Sequence, residues 1–400
     1  MSRDWPAVCA WTVVAALATL LLALSGFASR DPDSTVYAGI SARLATLPVR
    51  SWLAPEWWGF WGLEGPFREH PIGIFVVPAL VARLGYPAEQ AAYAVGAVCS
   101  IVAVLLMKRV ASPFLSGSEA VAVQWAAMLL PIAFVYRIRA NQEYPVLILL
   151  LLALYSTEQS RMRPKWIAGI VAAAIGLFLV KGIFVVFVPV VCGLWLILVR
   201  GADRNSTAWS GIAVSVAAVV VVAIAYEALY RRVAGDSFFS YYMEQRLGSN
   251  TGFDRTGGGI WYHTLANFMA NLGWYGVRVI WFGIPGSLVL LATVARRGRR
   301  ATHAQHLLRF CVAVAVVYVL AMSPAANRAD RFVFPAYFAI GLAGAVVAMR
   351  RSPWVASAAR WVERHEPYGT PMIWFALFML TFLTASRLPY VQFSVATGTG

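Results

Sequence analysis

WIAGIVAAAIGLFLVKGIFVVFVPVVCGLWLILV, Trp166 to Val199, is the stretch that decides the fold. It carries a single charge, Lys181, in an apolar run well beyond the roughly 20 residues that a helix needs to cross a hydrocarbon core. Pro6 to Ala28 and Thr207 to Tyr230 are of the same kind. Across all 400 residues, 60% are hydrophobic and only 13% are charged, more apolar side chain than a soluble domain can hide from water. The surplus needs lipid, so the chain reads as an all-α polytopic protein forming one integral membrane domain over residues 1–400. The run behind Arg3 is too long for a signal peptide and has no convincing small-residue cleavage site, which makes it a retained first span.

Hydropathy predicts about eleven spans, centred near Ala16, Gly96, Met128, Leu150, Ala173, Val191, Ala218, Ser287, Val316, Gly341 and Phe378. Lys181-Gly182 interrupts the opening stretch and divides it into two of them. The clusters Lys108-Arg109, Arg161 to Lys165, Arg200 to Arg204, Arg296 to Arg300 and Arg350-Arg351 then fall on one side. Short loops rich in Lys and Arg stay in the cytoplasm, so that side and the N-terminus are expected there. The net charge of +15 follows from this topology and from contact with membrane lipids, and needs no nucleic acid. Cys9, Cys99, Cys192 and Cys311 are scattered through apolar stretches without metal-type spacing and read as packing residues.

Two outer loops are long, about 29–88 and about 231–271, a size that is uncommon unless functional. Within the first, Ile72 to Leu84 is apolar but too short to span comfortably, and is expected to lie as an interfacial helix on the outer leaflet.

The candidate chemistry gathers on that outer side, each residue with a plainer alternative. Asp31 and Asp33 follow the first span and offer a carboxylate as general base or metal ligand; Asp33 and Ser34 would equally serve as N-caps of a helix running to Leu44. Glu143 sits in a short polar turn with Arg139, where an acid at membrane depth is a functional candidate and a solvated Arg–Glu pair is the alternative. Lys181 can meet a phosphate or snorkel to headgroups. Arg328 and Arg331 stand at a span entrance, where guanidinium suits a lipid phosphate or anchors to ordinary headgroups. Trp57 and Trp58, with Trp52 and Trp61, can stack on a sugar ring or form an interfacial belt. No Walker or Rossmann pattern is present, which argues against ATP or a sugar nucleotide as direct substrate.

The order of these features resembles the GT-C membrane glycosyltransferases, in the family 39-like branch of protein mannosyltransferases and lipid A aminoarabinose transferases, over roughly residues 7 to 350. Asp33 precedes Tyr37 by four, with Ala42-Arg43 following; His70-Pro71-Ile72 matches a His/Lys-Pro-Pro motif without its second proline. Arg139 to Glu143 looks like the second acidic turn, Val180-Lys181-Gly182 like Thr-Lys-Gly, and Arg331-Phe332-Val333-Phe334-Pro335 like Arg-Tyr-Leu-Leu-Pro. The family's second acid is Ser34 here, with Asp31 nearby.

The resemblance implies a GT-C-like bundle with interfacial helices in the first outer loop. It implies a polyprenyl-phosphate sugar as donor and a glycan, lipid or protein hydroxyl as acceptor, joined on the extracytoplasmic face of a bacterial inner or plasma membrane. In it Asp33 is the base, His70, Lys181, Arg328, Arg331 and Arg139 face the donor phosphate, Glu143 orients the acceptor or helps hold a metal, and Tyr37, Trp57 and Trp58 contact the acceptor or sugar. Metal use varies within the superfamily, so no cofactor is fixed and a divalent metal stays open. A transporter or lipid flippase would be expected to show inverted repeats, which are not seen here. A polysaccharide polymerase or O-antigen ligase would be expected to carry its catalytic loop late, whereas these acids come early.

Overall fold

The structure, a computed structural model, describes residues 5–29, 31–200, 206–243, 260–282, 303–325, 329–365 and 367–385. Among them there is no strand, only an isolated bridge between Glu56 and Pro66. The chain runs through α1 (Trp5–Ser25), α2 (Pro32–Thr46), α3 (Gly73–Arg83), α4 (Ala88–Ala111), α5 (Gly117–Leu129), α6 (Pro131–Tyr136), α7 (Glu143–Ser160) and α8 (Ile167–Lys181). It continues through α9 (Phe187–Leu194), α10 (Ser206–Ala234), α11 (Phe238–Tyr241), α12 (Ile260–Phe282), α13 (His303–Met322), α14 (Phe334–Arg351), α15 (Pro353–Arg364) and α16 (Gly369–Ala385). Helices are what such a sequence must form, because lipid offers no partner to a backbone N–H or C=O.

Six helical stretches among the described residues are long and apolar enough to cross a membrane: Trp5–Ser25, Ala88–Phe114, Pro164–Val199, Ser206–Ala234, Ala304–Met322 and Asp330–Arg351. Six is fewer than the eleven expected, for identifiable reasons. The expected centre at Ser287 lies outside the described residues. The one at Met128 is divided at Leu130-Pro131 into α5 and α6, because proline has no N–H to continue the helix. The one at Leu150 is α7, which carries Glu143 and Glu158 near its two ends. Pro164–Val199 counts once by composition, yet its contacts show that it turns back. Lys181 Nζ reaches Glu143 Oε1, 3.1 Å away, at the start of α7, whereas Trp166 packs its ring on Tyr155 and Arg200 Nε donates to Glu158 Oε2 at 3.0 Å, both near the far end of α7. Both ends of the run thus meet the same end of α7, and the expected two-span division holds.

The turn is made at Gly182, whose φ of +56° is strained for any residue with a side chain. A Cβ there would also come within 2.7 Å of the Tyr242 hydroxyl.

Burial ranks the spans. Of the apolar window in Asp330–Arg351, 83% is buried, against 17% in Ser206–Ala234, so α14 runs through the centre and α10 faces lipid. With lipid tails as apolar as leucine, packing rather than exclusion of water holds these helices together.

The interfacial helix expected in the first outer loop is α3: Phe75 and Ala79 are buried, while Val77, Leu80 and Leu84 are exposed on the other side. A second short amphipathic helix, unforeseen in the sequence, is α15. It is the most amphipathic helix described, packing Ala359 and Val362 inward and exposing Trp354, Arg360, Trp361 and Arg364. It meets α16 across a 108° bend. It sits at the arginine-rich end, since it follows Arg350, whose Nε pairs with Glu119 Oε1 at 2.7 Å.

Candidate functional site

At the opposite end, four short segments close on one another: the start of α2, the turn 139–143, the hairpin tip at Lys181, and the 3-10 turn Asp330–Val333.

α2 begins at Asp31-Pro32, with proline in the first helical position where its missing N–H costs nothing. The N-cap is Asp31, so the expectation that Asp33 or Ser34 caps this helix is corrected. Asp31 Oδ2 accepts from the Ser34 backbone N–H at 3.2 Å and from the Ser34 hydroxyl at 2.6 Å, and the carboxylate is 2% exposed. Arg139 stands 3.7 Å from its other oxygen. Asp31 therefore serves as the cap of α2. Ser34 passes the tie onward, its Oγ accepting the Ala140 N–H at 3.2 Å, which fastens the second acidic turn to α2. That turn also needs Gly96 on α4, where a Cβ would collide with the Arg139 carbonyl oxygen.

Asp33 lies in the first turn, released from capping, and forms an ion pair with Arg331. Its side chain remains 25% exposed and that of Arg331 34%, so this pair stands at an open mouth. The two residues expected to act as base and as phosphate ligand are brought together.

Glu143 and Lys181 are also brought together, but in the interior. They pair at 3.1 Å with side chains 1% and 4% exposed, and Lys181 lies over the Phe184 ring. The plainer alternative for Glu143, a solvated turn, is corrected by that burial. The ammonium of Lys181, expected to meet a phosphate, is turned inward onto a carboxylate. Glu143 Oε2 is buried with no hydrogen bond. Arg139 lies over the Tyr136 ring beside Asp31.

Tyr37 is buried one turn beyond Asp33 and its hydroxyl accepts from Gln142 Nε2 at 3.0 Å. The His70 ring stands edge-on to it, 6.3 Å between centroids, so His70 borders this cluster. Trp57, expected to contact sugar, is buried against Phe67, 4.7 Å between rings. Trp58 is half-buried with Arg43 over its ring. Arg328 lies outside the described residues.

Three residues here carried no signal of their own in sequence. Asp330 immediately precedes the late arginine motif, yet only the fold shows it buried between the other two, Arg278 and Tyr337. Arg278 belongs to an apolar helix with no motif around it.

Four acids at this end thus face a cation of the protein: Asp31 with Arg139, Asp33 with Arg331, Glu143 with Lys181, Asp330 with Arg278. Among the described residues no three His, Cys, Asp or Glu side chains converge as metal ligands. Among the described residues this donor set is not arranged to hold a divalent ion.

No protein-family model matches the chain, and no curated protein matches it by sequence. Its fold does match solved structures. It is similar to ArnT from Cupriavidus metallidurans bound to undecaprenyl phosphate, with 16% identity and a TM-score of 0.66 over 96% of this chain and 77% of that one. The apo state of the same protein matches at 14% identity and a TM-score of 0.64, over 95% and 76% of the two chains. The Archaeoglobus fulgidus oligosaccharyltransferase with a tethered acceptor peptide matches at 13% identity and a TM-score of 0.51, over 94% of this chain and 55% of that one. The family resemblance carried by the sequence motifs and the likeness of the folded chain agree: this is a polytopic all-α membrane protein with the GT-C fold.

Proposed function

We propose that the chain is a glycosyltransferase that moves a sugar from a polyprenyl-phosphate donor to an acceptor hydroxyl, at the outer, extracytoplasmic face of a bacterial plasma membrane. One observation carries this: Asp33, a half-buried carboxylate free of capping duty, is paired with Arg331, a guanidinium at a span entrance. The acceptor oxygen attacks the anomeric carbon as Asp33 takes its proton, and the bond from that carbon to the phosphate oxygen breaks. The leaving polyprenyl phosphate keeps the electron pair, and Arg331 stabilises the charge it gains through two parallel N–H contacts. A phosphate competes with Asp33 for Arg331, so donor arrival itself releases the carboxylate to act as a base. The likeness to a structure bound to undecaprenyl phosphate supports such a donor, and the GT-C fold supports transfer over transport.

Arg331→Ala is expected to raise the donor KM about tenfold or more, since charge-assisted hydrogen bonds contribute roughly 1.5–3 kcal/mol. Arg360→Ala, at the other end on exposed α15, is expected to behave as the parent. Unchanged donor dependence in Arg331→Ala membranes would remove the phosphate assignment.

The orientation is testable in cells carrying Cys9→Ala. Cysteine at Glu64, in the first long loop, is expected to react with a membrane-impermeant thiol reagent added from outside, and cysteine at Ser357 on α15 is expected to be protected. The reverse pattern would place the site on the cytoplasmic face.

A further inference from the structure

The turn that carries Arg331 is gripped from two sides. Its chain neighbour Asp330 is 5% exposed, with Oδ2 accepting from Arg278 Nη1 at 2.6 Å and Oδ1 accepting from the Tyr337 hydroxyl at 2.7 Å. Tyr275, one turn before Arg278 on α12, accepts the Ala329 N–H at 3.3 Å. Asn271 Nδ2, a turn earlier again, donates to the carbonyls of Ser323 and Ala325 at 2.9 and 2.6 Å. One face of α12 therefore holds the described chain before the turn, while Tyr337 holds it from α14. In a 3-10 turn successive side chains point about 120° apart. Fixing Asp330 inward leaves Arg331 aimed outward, at Asp33.

We propose that Arg278 and Tyr337 are positioning residues, acting through the Asp330 carboxylate to aim the Arg331 guanidinium at the donor's phosphate. This rests on the function proposed above and adds to it. α12 (Ile260–Phe282) begins inside the stretch expected as the second long outer loop, so an element distant from Arg331 in sequence sets the geometry of the donor contact.

Tyr337→Phe removes one hydrogen bond while keeping the ring, and Arg278→Lys keeps the charge while losing the planar fork. In purified full-length protein with a polyprenyl-phosphate sugar as the varied substrate, Tyr337→Phe and Arg278→Ala are expected to raise the donor KM by about tenfold with kcat held within about twofold. Arg278→Lys is expected to recover part of the loss. Combined with Arg331→Ala, Tyr337→Phe is expected to add nothing, because both changes remove the same contact. A fall in kcat at constant donor KM, or full additivity with Arg331→Ala, would overturn the proposal and leave a merely structural staple.

A second measurement does not depend on activity. Cysteines at Asp33 and Arg331, bridged by a short rigid bismaleimide, are expected to cross-link less efficiently when Tyr337→Phe or Arg278→Ala is added. Equal yields would show that the turn is not held by these residues. Unchanged donor KM in Arg331→Ala alone, with the cross-linking loss intact, would instead sink the assigned function and spare the clamp.

Discussion

Asp33→Asn is expected to lower sugar transfer by about a hundredfold or more while the protein still inserts and folds, the size of effect that a positioned general base supplies. Asparagine keeps the shape of aspartate but cannot take the acceptor's proton. The usual objection, that an acid in the first turn of a helix is there to cap it, does not apply: Asp31 is the cap and Asp33 makes no capping bond. The parallel variant Asp31→Ala separates the roles. It removes a cap worth roughly 0.5–2 kcal/mol and leaves Arg139 without its carboxylate, so its effect should appear in thermal unfolding more than in turnover. Purified Asp33→Asn that transfers sugar near the parental rate would remove Asp33 from the chemistry.

Lys181→Met is expected to destabilise the protein by about 3–5 kcal/mol, because it strands the Glu143 charge in the interior. Glu143 already has one oxygen without a hydrogen bond, so nothing nearby can replace the ammonium for it. The double variant Lys181→Met/Glu143→Gln removes both charges and should recover most of that loss, since an uncompensated buried charge costs more than an absent pair. Thermal unfolding of the three proteins in one detergent reads the difference. A single variant as stable as its parent, or a double variant no better than the single, would show that the pair is solvated. This pair also ties the tip of the α8–α9 hairpin to the start of α7, so its loss should loosen the site end before the arginine-rich end.

The pairing of acids with bases was only partly legible. Asp33 and Arg331 each stood in a motif with the right chemistry, and both are found at the mouth. Lys181 carried an equally good motif, yet an ammonium on the end of α8 can turn outward to phosphate or inward to a carboxylate, and only the position of Glu143 on the neighbouring helix decides which. Likewise a tryptophan in a loop such as Trp57 reads as available surface until Phe67 is seen packed at a tilt against it.

What the sequence by itself determined is the membrane character, the helical class, the apolar runs that become the long helices, the hairpin at Lys181-Gly182 and the short apolar helix α3. Each depends on local quantities: the length of an apolar run, a break in it, a glycine where φ must be positive. What the tertiary structure alone decided is which charge neutralises which, that Asp31 rather than Asp33 caps α2, and that Arg278 and Tyr337 converge on Asp330. These are contacts between helices distant in sequence. Inside a low-dielectric bundle a charge must find a partner, but hydropathy records only that the charge is there.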